Sequence, residues 1–305
     1  MGTEQVFTML AKRIPKENIT RNELMKNHTS FKIGGPADLF VLPTSKSELA
    51  YALSVCRENH VPYYIIGNGS NLLVSDKGIR GVVIQIYKNL SNIQVNHDTI
   101  IAESGALLSQ VATAALNNSL GGFEFAHGIP GTLGGALAMN AGAYGGEMKD
   151  VTKSVQVLNE VGEIITLNKE ELDFGYRQSR IQKHNYLVIA ATLQLAFKDQ
   201  AQIGNTMKEL AARRREKQPL EFPSAGSAFK RPEGYYAGQL IMESGLRGYQ
   251  IGGARVSDKH CGFIINTGDA LATDVLALIE YIQNEVYKRF KVMLEPEIKL
   301  IGEMQ

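Results

Sequence analysis

The chain has 305 residues, 44% of them hydrophobic and 21% charged, which fits a folded protein of two or three domains and excludes a wholly apolar class. Lys and Arg number 32 against 31 Asp and Glu, so no positive excess is available to neutralise a nucleic-acid backbone. No apolar run nears the roughly 20 residues that span a bilayer, so neither nucleic acid nor membrane is an expected partner.

Residues 1–30 read as a polar, helical lead-in that ends in the turn-forming Asn27, His28, Thr29 and Ser30. Its opening, MGTEQVFTMLAKRIP, lacks the apolar stretch of a secretory signal, and Cys56 and Cys261 are too few for a disulfide framework. Together they make the cytoplasm the expected location.

From Phe31 to about Phe197, short apolar runs alternate with turn signals: ADLFVLP (37–43), YYIIG (63–67), GVVIQI (81–86), TIIAE (99–103) and YLVIAATLQLAF (186–197). These are strand candidates. A helix is expected over Ser45 to His60, where Ser45 and Glu48 form a capping-box pattern and Leu49, Ala52, Leu53 and Cys56 share a face. Cys56 is therefore expected in the core. A second helix is expected over Ser109 to Asn118, with Leu108, Val111, Ala114 and Ala115 on its apolar side.

Residues 198–206, KDQAQIGNT, break the apolar pattern and mark a domain boundary; a helix follows from about Met207 to Lys217 and stops before Pro219. HCGFIINTG (260–268) reads as a strand, Thr273 to about Phe290 as a long amphipathic helix, and VMLEPEIKLIG as a final strand. The class is α+β, without internal repeats. The expected division is an N-terminal helical segment over 1–33, one domain over 34–198, and a second over 205–305 whose last strand returns to the active site.

Glycine is the one compositional excess, at 30 residues, and it concentrates in two places. In IIGNGSNLLV (65–74) a buried-type strand runs into Gly67 and Gly69, with Asn68, Ser70 and Asn71 adding side-chain donors to a row of backbone N–H groups. HGIPGTLGGALAMNAGAYGG (127–146) holds seven glycines between Gly128 and Gly146. Both suit a backbone that approaches a ligand, the first a pyrophosphate and the second a flat ring system. Both suit tight turns and close strand crossings equally well.

Standard fingerprints are absent from the sequence. Gly67 and Gly69 are followed by Leu72, so there is no Gly-x-Gly-x-x-Gly, and no Gly-Lys pair exists for a phosphate-binding loop. The six histidines lie at least thirty residues apart and no Cys or His pair has zinc-site spacing, so no metal is expected.

Three polar clusters stand out. In DFGYRQSRI (173–181), Phe174 and Tyr176 are placed to hold the Arg177 guanidinium against a planar or carboxylate partner, or Arg177 is solvated. In FPSAGSAFKRP (222–232), small neighbours leave the Ser227 hydroxyl accessible, or Ser227 is a turn serine. In LEPEIKLIG (294–302), alternation puts Glu295, Glu297 and Lys299 on one face, broken by Pro296, where either carboxylate could also be solvated. The basic run Arg213, Arg214, Arg215 with Lys217 reads as a solvated helix face or as a grip on an anionic sugar nucleotide.

Taken in order, these motifs resemble the UDP-N-acetylenolpyruvoylglucosamine reductase (MurB) family, and its compact second type, over nearly the whole chain. The likeness rests on NHTSFKIGGPAD (27–38), IIGNGSNLLV, GIPGTLGGALAMNAGAYG, GYRQS, Arg214 with Lys217 and Pro219, GSAFKRP and the terminal LEPEIKLIG. It implies a two-lobed FAD-binding module of the vanillyl-alcohol oxidase / p-cresol methylhydroxylase type, followed by an α/β substrate domain. FAD is implied to be non-covalent, NADPH to be the reductant and a small sugar nucleotide to be the substrate, with no stable protein partner.

Residue by residue, the resemblance implies cofactor contacts from Gly67, Asn68, Gly69, Ser70, Asn71 and Leu72 at the pyrophosphate. It implies others nearer the flavin from Gly128, Gly131, Thr132, Gly134, Gly135, Asn140 and Gly142. Arg177, Ser227 and Glu297 match the catalytic trio, and Arg214, Lys217, Gly226 and Lys230 the substrate contacts. Two positions depart from the pattern: Gln178 stands where an acidic residue is common, and Arg231 where asparagine is common. A flavin oxidase on the same module, and a flavin- or sugar-nucleotide-binding protein without turnover, remain alternative readings of the sequence.

Overall fold

The computed structural model describes residues 2–303, which cluster into two compact units. Residues 1–20, 40–68 and 82–214 make the first, and 21–39, 69–81 and 215–305 the second, so the chain passes between them several times. Among the described residues no helix is long and apolar enough to cross a membrane.

The first unit is built on a five-stranded antiparallel sheet, in the order Ile164–Asn168, Thr152–Leu158, Leu187–Gln194, Thr99–Glu103 and Ile93–Asn96. The central strand Leu187–Gln194 is buried over most of its length, whereas the edge strand Ile164–Asn168 buries only Leu167, the alternation expected of a strand with one wet face. Helices Leu108–Asn117 and Leu133–Ala138 supply Leu108, Val111, Ala112, Leu133 and Leu137 to the core, where they join Ile100, Val155, Val157 and Leu193.

In the same unit Tyr63–Ile66 pairs in parallel with residues 82–85, which start from Tyr63 opposite Val82. Helix Lys46–Glu58 begins at Ser45, whose hydroxyl accepts the Glu48 N–H at 3.2 Å, a cap worth about 1 kcal/mol. Leu49, Ala52, Leu53 and Cys56 face inward as the period predicts, and burial pushes the Cys56 thiol up to about 12.

The second unit contains a four-stranded antiparallel sheet, in the order Ser224–Ser227, Phe263–Asn266, Ala254–Val256 and Gln250–Ile251. Helix Ala272–Phe290 buries Val275, Leu278, Ile279, Ile282 and Val286 in a core with Phe31, Ile33, Leu73 and Leu294. Its first turn is held by Asp76, whose carboxylate accepts the N–H groups of Ala272 and Thr273 at 2.7 and 3.0 Å. Leu72–Val74 pairs in parallel with Lys299–Ile301, so the end of the chain returns beside the loop that follows Gly69.

Three local expectations change. The lead-in is α-helical only over Thr3–Leu10, with single 3-10 turns at Lys16–Asn18 and Met25–Asn27; Ile19–Leu24 is a strand, and because it buries little besides Ile19 its apolar pattern is faint. The polar stretch 198–206 is no break but chiefly the first half of helix Gln200–Lys217, opened by the Asp199 carboxylate accepting the Gln202 N–H. That helix buries only Ile203 and Met207, so it shows no apolar stripe. The last strand covers only Lys299–Ile301, with Pro296 reduced to a single bridge to Phe229.

Candidate active site

In the first unit the chain leaves the strand Tyr63–Ile66 into Gly67 and Asn68, and both are fixed: Gln85 Nε2 donates to the Gly67 carbonyl at 2.9 Å, and Asn68 Nδ2 to the Pro130 carbonyl at 2.7 Å. A β-carbon on Gly67 would come within 2.3 Å of Thr132 Oγ1, so only glycine allows this approach. Thr132 is buried and caps helix Leu133–Ala138, accepting the Gly135 N–H at 3.5 Å. Gly134 packs on Ser104 and donates to its carbonyl at 2.8 Å.

Among the described residues, no acceptor takes the backbone N–H groups of Gly67, Asn68, Gly131 or Thr132. This is a set of fixed donors without a carboxylate, at a point where Thr132 packs so closely on Gly67 that a β-carbon has no room. Its chemistry fits a phosphate-bearing cofactor.

Farther along, Gly142–Ala143 and Gly146–Glu147 form a short hairpin with Tyr144 exposed near its tip. Asn140 precedes it, fully buried, with Nδ2 donating to Glu147 Oε2 and to the Gly175 carbonyl, both at 2.9 Å, and Oδ1 accepting the Lys149 N–H at 2.9 Å, so it is spent inside the protein and is not the cofactor contact that the resemblance implies for it. Gly175 and Gln178 exchange backbone hydrogen bonds and leave Tyr176 and Arg177 at the tip of a turn.

Arg177 has φ +56°, a left-handed conformation that costs a residue with a β-carbon about 1–2 kcal/mol. Its guanidinium lies 5.1 Å from the Tyr176 ring centroid, and Nη2 reaches the Gly142 carbonyl at 3.5 Å. Tyr176 is thus the aromatic support expected for it; Gln178 folds over Gly175 instead. Burial alone pushes the Glu147 carboxyl upward, but hydrogen bonds from Lys149 and Asn140 and the charges of Lys149 and Arg177 hold it below its ordinary value.

Arg214 is the other basic residue at this unit's glycine segment: Nη1 lies 3.2 Å from where a β-carbon on Gly128 would stand. Its guanidinium forms no ion pair or hydrogen bond among the described residues, and burial depresses its pKa, an effect that Tyr144 opposes. A half-buried guanidinium without a carboxylate is poised for an external anion. Lys217 is exposed at the end of helix Gln200–Lys217.

In the second unit, Gly69 has φ +62° and a β-carbon there would strike the His28 carbonyl at 2.0 Å. The Gly69 carbonyl accepts the Ser30 N–H at 3.2 Å, and Ser30 Oγ donates to the Ser224 carbonyl at 2.7 Å. Asn71 Nδ2 donates to the Glu297 carbonyl at 3.2 Å, Lys299 N–H to the Asn71 carbonyl at 2.9 Å, and Glu297 N–H to the Ala228 carbonyl at 2.9 Å. Gly69 to Leu72, Gly226 to Ala228 and Glu297 are therefore brought into one cluster.

Ser227 Oγ forms no hydrogen bond among the described residues and is half-buried, as is Glu297. Lys230 is paired with Glu295, and Arg231 lies 4.0 Å from the Tyr236 ring centroid. Asn140, Glu147 and Tyr144 form the part of the site that sequence patterning describes least: Glu147 and Tyr144 had no assigned role. The one available signal was polar residues embedded in a glycine- and alanine-rich run. Among the described residues no three His, Cys, Asp or Glu side chains gather as a metal site.

The fold and donor set define a flavoprotein: residues 37–168 match an FAD-binding domain, and a variant of Phl p 4 that is a glucose oxidase shares the fold over 64% of this chain and 44% of its own, at a TM-score of 0.50 and 15% identity. Residues 218–301 match the C-terminal domain of UDP-N-acetylenolpyruvoylglucosamine reductase. The reductase of that name from Alkaliphilus oremlandii is 52% identical over 99% of this chain and 100% of its own length, and that from Clostridioides difficile 51% identical over the same shares. The crystal structure of the Thermus caldophilus enzyme superposes with a TM-score of 0.79 at 35% identity, over 92% of this chain and 98% of that one. The chain belongs to the UDP-N-acetylenolpyruvoylglucosamine reductase family.

Proposed function

We propose that this protein reduces UDP-N-acetylglucosamine enolpyruvate to UDP-N-acetylmuramate with NADPH, through non-covalent FAD, as a step of peptidoglycan precursor synthesis. Identity above 50% over nearly the full chain to reductases of that name carries the reading. Its setting is the cytoplasm, where nucleotide-linked wall precursors are made before export. When bound, FAD would supply the hydride-transfer chemistry that links NADPH to the terminal vinyl carbon of the substrate.

Gly67 to Leu72 hold the cofactor's pyrophosphate, and Gly128, Gly131, Thr132, Gly134, Gly135 and Gly142 flank the rest of it. The unpaired N–H groups at Gly67, Asn68, Gly131 and Thr132 support this assignment. Gly67→Ala is expected to weaken FAD retention by at least about 10-fold, equivalent to about 1.4 kcal/mol, because the methyl displaces Thr132. Flavin content after dialysis measures it; full retention would show that the loop does not touch the cofactor.

Arg214 and Lys217 bind the anionic nucleotide, aided by Gly226 and Lys230. Arg177 stabilises the negative charge that develops on the substrate's carboxylate and the adjacent carbon as the hydride arrives, a contact that strengthens toward the transition state. Ser227 delivers a proton to the carbon bearing the ether oxygen. A serine is a weak acid, so the developing carbanion and neighbouring charge must assist it. Glu297 lies near the substrate carboxylate and shares a proton or water with it, since two ionised carboxylates in contact would repel.

Anaerobic NADPH consumption by the purified flavoprotein, with and without the enolpyruvyl sugar nucleotide, tests the reading. Turnover that requires the sugar nucleotide is the expected result. A flavin bleached once by NADPH and not restored by that substrate would mean that the cofactor is right and the substrate wrong.

A further inference from the structure

We infer that Asn140 is a positioning residue for Arg177: it fastens the base of the turn that presents the guanidinium, aiming the cation before charge develops on the substrate. The inference rests on the proposed role of Arg177 in stabilising that charge. Asn140 is fully buried, and both of its N–H donors are committed, one to the Gly175 carbonyl and one to Glu147 Oε2, while its oxygen accepts the Lys149 N–H. A side chain with two donors and one accepted bond fills this site; alanine supplies none of the three.

The Gly175 carbonyl is the point that matters. Gly175 opens the Gly175–Gln178 turn, and Arg177 within it holds φ +56°, a conformation that persists only where the surroundings fix it. On the far side Ser179 Oγ donates to the Ala138 carbonyl at 2.8 Å. The turn is thus tied at both ends, and Asn140 ties the end before Arg177. The same amide joins it to the ionised Glu147, whose field bears on Arg177. Releasing the Gly175 carbonyl lets the turn relax and moves the guanidinium, and a displacement near 1 Å at a reacting centre costs on the order of 100-fold.

The test is anaerobic stopped-flow on the FAD-loaded protein, with flavin content and melting temperature measured alongside. Asn140→Ala is expected to keep the wild-type rate of flavin reduction by NADPH and to slow reoxidation by the enolpyruvyl sugar nucleotide about 10-fold to 100-fold. Added to Arg177→Ala, it is expected to cause no further loss, because a residue that acts only through Arg177 has nothing left to position. An equal loss in the two backgrounds, or a wild-type rate of reoxidation, would overturn the inference.

If Asn140→Ala does not fold, the double variant Asn140→Asp with Glu147→Gln decides. It restores the link between the two side chains with donor and acceptor exchanged, keeps an acceptor for the Lys149 N–H, and moves the negative charge from residue 147 to residue 140 at the cost of the exposed Lys149–Glu147 ion pair, while the Gly175 carbonyl loses its side-chain donor. It is expected to reproduce the slow reoxidation, and wild-type reoxidation would again overturn the inference. Arg177→Ala alone reports on the underlying reading: if it reoxidises normally, the role of Arg177 fails and that of Asn140 fails with it, visibly in a variant that leaves Asn140 intact.

Discussion

Ser227→Ala is expected to slow reoxidation of the reduced flavin by the enolpyruvyl substrate by about 10²-fold to 10⁴-fold, the range for loss of a positioned acid, while flavin reduction by NADPH stays near the wild-type rate. The selectivity follows from the reaction, because NADPH oxidation needs no proton at the ether-bearing carbon and only the second half-reaction does. The fold should be indifferent. Ser227 Oγ forms no hydrogen bond among the described residues, so its removal leaves no partner unpaired and should change stability by no more than about 0.5 kcal/mol. Stopped-flow traces of the two half-reactions, with a melting curve beside them, separate the cases. Both half-reactions slowed alike, with a lowered melting temperature, would make Ser227 a structural residue.

The backbone placement of Ser227 explains why it was legible and why its surroundings were not. Small neighbours at Gly226 and Ala228 marked it as accessible. Its nearness to Glu297 depends on hydrogen bonds from the Glu297 N–H to the Ala228 carbonyl and from the Lys230 N–H to the Glu295 carbonyl, across more than sixty residues of sequence. No local pattern encodes such a pairing.

The same contrast runs through the fold. Ser45 to Cys56 could be read because cap and apolar stripe agree, and YYIIG because a short apolar run ends at glycine. Ile19–Leu24 and the start of Gln200–Lys217 could not, since elements that bury one or two side chains carry almost no periodic signal. In the second case the Asp199 cap was present in the sequence, but the polarity of 198–206 outweighed it. In the site, the glycines announced where backbone segments pack too closely for a side chain, as Gly67 does against Thr132 and Gly134 against Ser104. The tie from Asn140 to Gly175 spans 35 residues and two polar groups, beyond the reach of either spacing or composition.

Arg177→Lys is expected to lower the rate of substrate reduction by about 10²-fold to 10³-fold, the range for losing one preorganised electrostatic contact in a transition state. Lysine keeps the charge, so a role that needed only a positive field would survive. What it lacks is the planar fork that meets a carboxylate through two parallel hydrogen bonds and lies well against an aromatic face such as that of Tyr176. The comparison is clean at the backbone, because lysine and arginine meet the same cost at φ +56° and the turn is held from Gly175 and Ser179 rather than by residue 177 itself. The variable is therefore the head group. The decisive quantity is the reoxidation rate at saturating substrate: if that rate falls and KM changes little, the guanidinium acts mainly in the transition state. If KM rises and the saturated rate holds, Arg177 contributes uniform binding, and stabilisation of the developing charge must come from elsewhere.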